Sequence, residues 1–572
     1  MVDYLISKHP EDLSIKGDYG IPLHAALFND HGNVALLLLG RCVDVDVRGI
    51  DDRTPLHMSV DHGLLKVTRI LIERGASINA RDSRDQTPLH PTFRHRPGTF
   101  DDTYFDVVWY LLAHGADVDA RANTARSTPL HLASYHGGFK VARLLLDHGA
   151  DINTRNKIGQ TPLHGTLDGM NDDFNDYYFD TVRFLLEHGS DVDALDNDHA
   201  TPLHLASQSG GIKAAQLLLK HGADVHALDS IHSTPLHFAS RGGNAELARL
   251  LLEHGADVHA LNDNHSTPLH FASRGGNAEV ARLLLEHGAD VRVLDGTHST
   301  PLHFASESGN AETTRLLLGY FADVHALDNN HSTPLHFISQ HGGAGAACIL
   351  LEHGAVVGAQ DNKDSTPLHV ASQCGNADVA RILLEHGANI DTQNKEDQTP
   401  RHQLLAMWGD NPPNHDIDTI RFFLERGADV DAVDDNHSSP LHAASFYGSV
   451  KVASLLLERG ANINVRNSGG QTPLHRALFE LEDTFSDDIF DGIQLLLEHG
   501  ADVDTLDNDH STPLHLASQY GSVRATRLLL EHDANVHLQN NDGHTPSQVA
   551  LAKGHEEIAR LLSEHSQSKQ NM

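Results

Sequence analysis

The chain has few of the residues that build a large globular core or a disulfide framework. Only 5% of its 572 residues are aromatic, and its three cysteines (Cys42, Cys348 and Cys374) show neither a paired nor a metal-ligand spacing. Widely spaced free cysteines indicate a reducing, intracellular setting in the cytoplasm or nucleus. The chain lacks a signal-peptide pattern at its start and any run of about 18 apolar residues, so we expect no membrane span.

Basic residues are also scarce. Lys and Arg number 42 against 78 Asp and Glu, which gives a formal net charge of −36. Such a surface repels a phosphate backbone, so we expect no nucleic-acid partner and a protein partner of basic character. Histidine is abundant instead, with 46 copies whose full protonation would move the formal charge from −36 to +10. The charge is therefore expected to vary strongly between about pH 7 and 5.

A tetrapeptide, mostly Thr-Pro-Leu-His, recurs sixteen times along the chain. The first copy is Ile21–His24 and the last is Thr545–Gln548; eleven of the fifteen spacings are 33 residues and the other four are 40 or 41. A fixed period of this size indicates a stacked array of one supersecondary unit. It overrides the expectation of about four separate globular domains that the chain length alone would give.

Residues 262–294 show the pattern of one repeat. Thr267 can cap a short helix that begins at Pro268 and ends at Gly275-Gly276, and a leucine-rich second helix precedes Gly288. Through Thr-Pro-Leu-His, Leu-Leu-Leu-Glu-His-Gly and Ala-Asp-Val, this unit resembles the ankyrin repeat over about residues 20–565. The resemblance implies a mainly α solenoid of helix–turn–helix units joined by β-hairpin-like loops, with a concave protein-binding face. It implies no common partner.

The repeats suggest how the chain is organised. We expect a partial N-terminal repeat or cap (1–20), repeats 1–5 (21–198), a regular block of repeats 6–11 (199–396), repeats 12–15 (397–542), a C-terminal capping repeat (543–565) and a polar tail (566–572). The array begins in the middle of a repeat, so either a degenerate cap was kept or the chain is part of a longer parent. We expect no appended catalytic or nucleotide-binding domain.

Four repeats carry seven extra residues between the motif threonine and the glycine after the second helix. They start at Thr87, Thr161, Thr399 and Thr472. Seven residues are close to two turns, so an extended helix would return nearly in phase. Three of these inserts share an aromatic and acidic pattern, which indicates either a contact ridge or rings that pack against neighbouring helices. The candidate ridge residues are Phe100, Tyr104, Phe105, Phe174, Tyr178, Phe179, Phe485 and Phe490.

Two further sets of side chains recur with the repeat period. Histidine replaces the family's glycine two residues before the motif threonine, which predicts either a tolerated left-handed turn or a pH-sensitive contact row. Neighbouring tips are too far apart to share one metal ion. Long polar side chains near the end of the first helix suit a solvated groove or a merely exposed face. The candidates are His199, His232, His265, His298 and His331 at the tips, and Gln208, Arg241, Arg274, Glu307, Gln340 and Gln373 in the groove.

The sequence therefore predicts a binding protein without catalytic, cofactor-binding or metal-binding residues. The motif histidines are expected to bond to nearby backbone, and no Ser/His/Asp or Cys/His set stands apart from the periodic positions. We predict a monomeric interaction scaffold or adaptor whose main binding face is the groove of residues 199–375. Two alternatives stay open: a recognition region of a larger signalling or immune-receptor-like protein, and a pH-responsive binder that uses the tip histidines.

One stretch is predicted to be a soft joint. Phe321 replaces the glycine that follows the second helix elsewhere, and Gly342, Gly343 and Gly345 come in the next repeat. A bulky residue at positive φ and glycines in helices both lower local stability. Because stability terms in a solenoid are nearly local, we expect residues 319–347 to open more readily than other repeats.

Overall fold

The computed structural model describes residues 20–41, 43–90, 102–122, 125–168, 176–396, 398–400, 417–434, 436–479 and 487–570. These residues form short helices joined by turns, as the mainly α repeat class predicts. The chain divides into two compact units, Met1–Gly296 and Thr297–Met572. The division falls inside the regular block, and the predicted N-terminal cap lies outside the described residues except for residue 20.

The motif builds each first helix through its own side chains. Thr234 has an extended backbone (φ −94°, ψ 165°) and caps the helix Pro235–Gly242, whose proline occupies the first helical turn. A proline in the first turn costs no hydrogen bond, because an N–H group at that position has no partner within the helix. Gly243, at φ 73°, ends this helix, and the second helix, Ala245–Glu253, is followed by Gly255 at φ 89°. The predicted cap, start and stop of the repeat are thus confirmed.

The first unit contains seven described first helices and eight described second helices. The first helices are Pro22–Phe28, Pro55–Asp61, Pro129–Tyr135, Pro162–Asp168, Pro202–Gln208, Pro235–Gly242 and Pro268–Arg274. The second helices are Gly32–Leu39, Leu65–Glu73, Asp102–Ala113, Phe139–Asp147, Asp176–Glu187, Ile212–Lys220, Ala245–Glu253 and Ala278–Glu286, and a 3-10 turn spans Ile50–Asp52.

The second unit follows the same alternation. Its described first helices are Pro301–Glu307, Pro334–His341, Pro367–Cys374, Pro440–Phe446, Pro473–Ala477, Pro513–Tyr520 and Pro546–Lys553. Its second helices are Ala311–Gly319, Ala344–Glu352, Ala377–Glu385, Ile417–Glu425, Val450–Glu458, Asp487–Glu498, Val523–Glu531 and Glu556–Gln570.

The core of each unit runs between the two helix layers. Leu236 and Ala239 of a first helix and Leu247, Ala248 and Leu251 of the second are all fully buried, and neighbouring repeats repeat this set. First helices pack against first helices and second helices against second helices of the next repeat. The small alanines let the helices approach closely, so the stack needs few aromatic residues.

Three of the repeats with inserts have a longer second helix than regular repeats among the described residues. The helices Asp102–Ala113, Asp176–Glu187 and Asp487–Glu498 each have 12 residues, whereas the helix of a regular repeat, such as Ala278–Glu286, has 9. The described helices are therefore three residues longer than a regular one; the residues directly before each of them lie outside the described part of the chain, so the two-turn extension stays a prediction. In the fourth insert the described helix, Ile417–Glu425, has 9 residues.

Candidate functional site

In most of the described hairpin tips an aspartate or asparagine five residues before the motif threonine holds the turn in shape. The Asp229 carboxylate accepts hydrogen bonds from the N–H groups of Ile231 at 3.0 Å and Ser233 at 2.7 Å. The Asp229 N–H in turn donates to the Ser233 carbonyl oxygen at 3.1 Å. Side chains that bond to the backbone two and four residues on stabilise tight turns. The tips are therefore ordered before any partner binds.

The tip histidines occupy the left-handed position of this turn, as the sequence predicts. His199, His232, His265, His298 and His331 have φ between 56° and 60°, and all five side chains are exposed. The same position also has positive φ where it is Asp85, Arg126 or Asp364, so this conformation belongs to the turn and not to histidine. His232 Nδ1 lies 2.6 Å from the Asp263 carboxylate of the next tip.

Backbone hydrogen bonds join neighbouring tips. In the first unit, Ser230 N–H donates to Asp198 O at 2.8 Å and Asp263 N–H donates to Ile231 O at 3.0 Å. In the second unit, Asn362 N–H donates to Asn330 O at 2.9 Å in the same way. Where neighbouring tips are described, these bonds therefore align them in a row within each unit.

The motif histidines are buried structural residues. Burial lowers the pKa of the His57, His131 and His237 rings to about 4, even though backbone hydrogen bonds act in the opposite direction. The pKa values of His204 and His336 are lowered by burial as well. His57, His131 and His237 therefore stay mostly neutral at pH 5, so the expected large swing in charge between about pH 7 and 5 is wrong for these three rings.

The first helices carry the predicted groove residues next to aromatic side chains. In the first unit Phe238 and Phe271 are half-buried, and their rings pack edge-on against His204 and His237 at centroid distances of 5.5 and 5.3 Å. These two phenylalanines were not among the predicted groove residues; they recur four residues after the motif threonine. The predicted groove residues Gln208, Arg241 and Arg274 are exposed three residues further along each helix.

The second unit presents the same surface with other side chains. Gln340 and Gln373 are exposed, whereas Glu307 is half-buried. Phe337 packs edge-on against His303 at 5.1 Å. Around residues 434–476 of this unit a cavity of about 280 Å³ lies between tip residues and first-helix residues, and its lining includes Asn436, Ser468, Gly469, Ala443 and Arg476. Tips and first helices thus enclose a shared cavity at this place.

The structure separates the candidate ridge residues of the inserts into two groups. Tyr178 and Phe490 are buried, with 6% and 1% of their surfaces exposed, so the packing alternative describes them and the contact-ridge alternative does not. Tyr104, Phe105 and Phe179 are half-buried, and the Tyr104 hydroxyl donates to the Asp61 carbonyl at 2.9 Å. The other three candidates lie outside the described residues: Phe100, Phe174 and Phe485.

Neither a metal-ligand cluster nor a membrane-spanning helix occurs among the described residues. No three His, Cys, Asp or Glu side chains in that part of the chain come together in a way that could hold a metal ion. No helix among the same residues is long and apolar enough to cross a membrane.

Curated proteins with similar segments are longer than the regions they share with this chain. The chain is 51% identical over 63 residues to ankyrin repeat and SOCS box protein 11 of Danio rerio, 39% over 67 residues to the neurogenic locus Notch protein of Drosophila melanogaster, and 41% over 66 residues to NF-kappa-B inhibitor cactus of Drosophila melanogaster. These alignments cover 11%, 12% and 11% of this chain, and 21%, 2% and 13% of the respective relatives.

Family profiles cover most of the chain. One described as ankyrin repeats (3 copies) matches residues 1–82, 156–229, 226–295, 302–394, 404–507 and 484–572. Two described as ankyrin repeats (many copies) match residues 111–165 and 276–318. With the capped helix pairs, the left-handed turns and the ordered tips, these matches show that the chain belongs to the ankyrin-repeat family.

Proposed function

We propose that this protein is an intracellular, monomeric scaffold or adaptor that binds a protein partner and catalyses no reaction. The observation that carries the proposal is the contrast between fixed and variable positions of the first helices. Leu236, His237 and Ala239 and their equivalents are buried, while the exposed position at the end of the helix changes from Gln208 to Arg241. Variable side chains on a rigid periodic frame suit recognition of one particular partner.

The proposed contact residues belong to the tips and first helices of residues 199–375. In the first unit they are His199, His232, His265, Gln208, Arg241 and Arg274. In the second they are His298, His331, Glu307, Gln340 and Gln373. A partner of basic character is favoured by the net charge of −36. Phe105 and Phe179 are candidates for a secondary contact outside this groove, because their rings are only half-buried.

Affinity capture followed by calorimetry with the purified partner tests this proposal. The proteins compared are the full chain and a variant in which the contact residues are changed to alanine. A matched control carries alanine at Glu246, Arg249, Glu279 and Arg282, which are exposed on second helices. We expect the groove variant to lose at least tenfold in affinity and the control to keep it. Equal affinity of the groove variant and the full chain would contradict the proposal.

A pH-responsive version of the same function is favoured by one contact. His232 Nδ1 lies 2.6 Å from Asp263 Oδ1, and both side chains are more than half exposed. Protonation strengthens such a pair, so it would change the charge that the tips offer to a partner. Partner affinity measured from about pH 7.5 to 5.5, with His232→Gln as the comparison, tests this version; an affinity independent of pH excludes it.

A further inference from the structure

A tip position six residues before the motif threonine joins neighbouring repeats in part of the chain. Arg48 donates a hydrogen bond to the Arg81 carbonyl oxygen at 2.7 Å, and Arg466 donates to the Leu506 carbonyl oxygen at 2.8 Å. At the same position Arg155 donates to the Gly159 carbonyl of its own tip at 3.0 Å. Arginine at this position therefore stabilises the turn and the stacking of the tips.

In four consecutive repeats of the first unit, leucine replaces this arginine. Leucine cannot make the same hydrogen bonds, and each of these side chains leaves 43–47% of its surface exposed. A single exposed leucine is ordinary, but one at the same position in four adjacent repeats makes a line of apolar surface. We call these residues the leucine row: Leu195, Leu228, Leu261 and Leu294.

A second inter-repeat contact is replaced in three of these four repeats. Two residues before the leucine row position, the Asp46 carboxylate accepts a hydrogen bond from Ser77 N–H at 2.9 Å, and Asp193 accepts one from Asp224 N–H at 2.9 Å. Beside the last three leucines this position is His226, His259 and Arg292, all exposed. At two positions where other repeats make hydrogen bonds to their neighbours, these repeats thus carry side chains of a different kind. Contact with another molecule explains both replacements.

The charge around the leucine row defines the partner. Residues 190–200, 223–233, 256–266 and 289–299 contain ten aspartates and one basic residue of the Lys/Arg type, Arg292. Segments rich in lysine or arginine therefore complement these tips, and acidic segments are repelled.

The spacing of the row defines the conformation of the partner. Stacked helices lie about 8–10 Å apart, so successive leucines are separated by about that distance. A polyproline II segment has three residues per turn and rises about 3.1 Å per residue, so every third side chain returns to one face after about 9 Å. An apolar side chain at every third position of such a segment matches the leucine row.

We propose that the leucine row docks an extended segment of a basic protein partner that has an apolar side chain at every third residue and lysine or arginine between. Four leucines span three repeat intervals, which corresponds to a segment of about ten residues. The inference rests on the proposed function and names the chemistry of the partner for the first unit.

Fluorescence anisotropy with a defined peptide tests the inference on the full chain. The probe is a labelled peptide of four Leu-Lys-Pro units; the comparison peptide has the same composition with its leucines in one block. The variant Leu228→Gln with Leu261→Gln uses the residue that the chain itself has at this position in Gln360 and Gln393, so folding is preserved. Leu506→Gln, at the same position in the second unit, is the control. Its side chain is 36% exposed.

We expect at least tenfold weaker binding for the comparison peptide and for the double variant, and unchanged binding for the control. Equal binding of the two peptides, unchanged binding by the double variant, or no binding at millimolar peptide overturns the inference. The proposed function is tested separately by the purified partner. If that partner requires Arg241 and Arg274 but tolerates the double variant, the proposed function stands and the leucine row inference fails.

Discussion

His237 Nε2 lies 3.0 Å from the carbonyl oxygen of Ser266, which immediately precedes the cap of the next repeat. On the other side of the same ring, Nδ1 accepts a hydrogen bond from Thr234 N–H at 3.0 Å. One imidazole therefore closes its own helix cap and joins two repeats. This arrangement assigns the neutral ring with its proton on Nε2, because Nδ1 must be free to accept.

The neutral motif histidines make the stability of the array depend on pH. The pKa of His237 is about 4 in the folded protein and about 6.5 when the ring is exposed by unfolding. Between these values the unfolded chain binds more protons, so stability is complete above about pH 6.5 and falls as the pH decreases toward 4. We expect the urea midpoint of unfolding to be lower at about pH 5 than at about pH 7. Equal midpoints would contradict this assignment.

Substitution of one motif histidine measures how much of this pH dependence of stability comes from that ring. The last repeat has Gln548 in place of the histidine, and its side-chain oxygen still accepts from Thr545 N–H at 2.8 Å. We expect His237→Gln to keep the cap, to lose the bond to Ser266, and to cost roughly 1–3 kcal/mol near neutral pH. The variant should also lose less stability than the parent between about pH 7 and 5, since one titrating ring is gone.

The inserts offer a matched pair of aromatic residues. Tyr178 is 6% exposed, and a Cβ added to Gly137 would lie 3.3 Å from its ring, so the ring fills a space that only glycine leaves open. Its neighbour Phe179 is half-buried. We expect Tyr178→Ala to destabilise the first unit by roughly 3–5 kcal/mol and Phe179→Ala by distinctly less. Urea unfolding measures both; similar losses would show that Phe179 is also a core residue.

Much of the fold could be predicted because each local signal agrees with the repeat period. Thr267 begins a helix at Pro268, and Gly288 ends the second helix in a left-handed conformation, as their residue types require. How the seven extra residues of each insert fold could not be predicted, because seven residues satisfy the helical phase whether they lengthen the helix or the loop.

The binding surface was less predictable than the fold. Leucine is usually a core residue, so Leu228 and Leu261 give no signal until their exposure is known. What distinguishes them is the arginine at the same position in other repeats, and that arginine has a structural role visible only in its hydrogen bonds. The histidine count likewise overstated the charge available to titrate, because sequence alone does not reveal that His57 and His131 are buried.

The predicted soft joint at residues 319–347 has a specific structural basis. In the next repeat Asn376 donates from Nδ2 to the Ser339 carbonyl at 2.8 Å, which ties two repeats together. The equivalent position in the joint is Gly343, at φ 114°, whose added Cβ would lie 2.7 Å from the Gly309 Cα. The close backbone approach requires glycine, so this repeat cannot make the asparagine bond.

Hydrogen exchange measures how readily the soft joint at residues 319–347 opens. We expect amides of residues 319–347 to exchange faster than those of residues 234–290, because local opening costs less where inter-repeat bonds are missing. Asn376→Gly should bring similarly fast exchange to its own repeat. Equal protection of the two stretches in the parent chain would show that the missing bond is compensated by packing.

Phe321 has φ 62° and leaves 79% of its surface exposed. Regular repeats have glycine there, and a side chain in the left-handed region costs roughly 1–2 kcal/mol. Because the exposed ring recovers little by burial, Phe321→Gly should stabilise the second unit by about 1 kcal/mol, even after the greater entropy of unfolded glycine is counted.

Gly288→Ala tests the same backbone strain in the opposite direction, because it adds a side chain to the left-handed residue that follows a second helix. Gly288 has φ 90°, and an added Cβ would meet no atom within 4 Å, so any loss reports backbone conformation alone. We expect this substitution to destabilise the first unit by about 1 kcal/mol. Urea midpoints of both variants against the parent measure the pair. Lower stability of Phe321→Gly would mean that contacts of the ring outweigh the strain of its backbone.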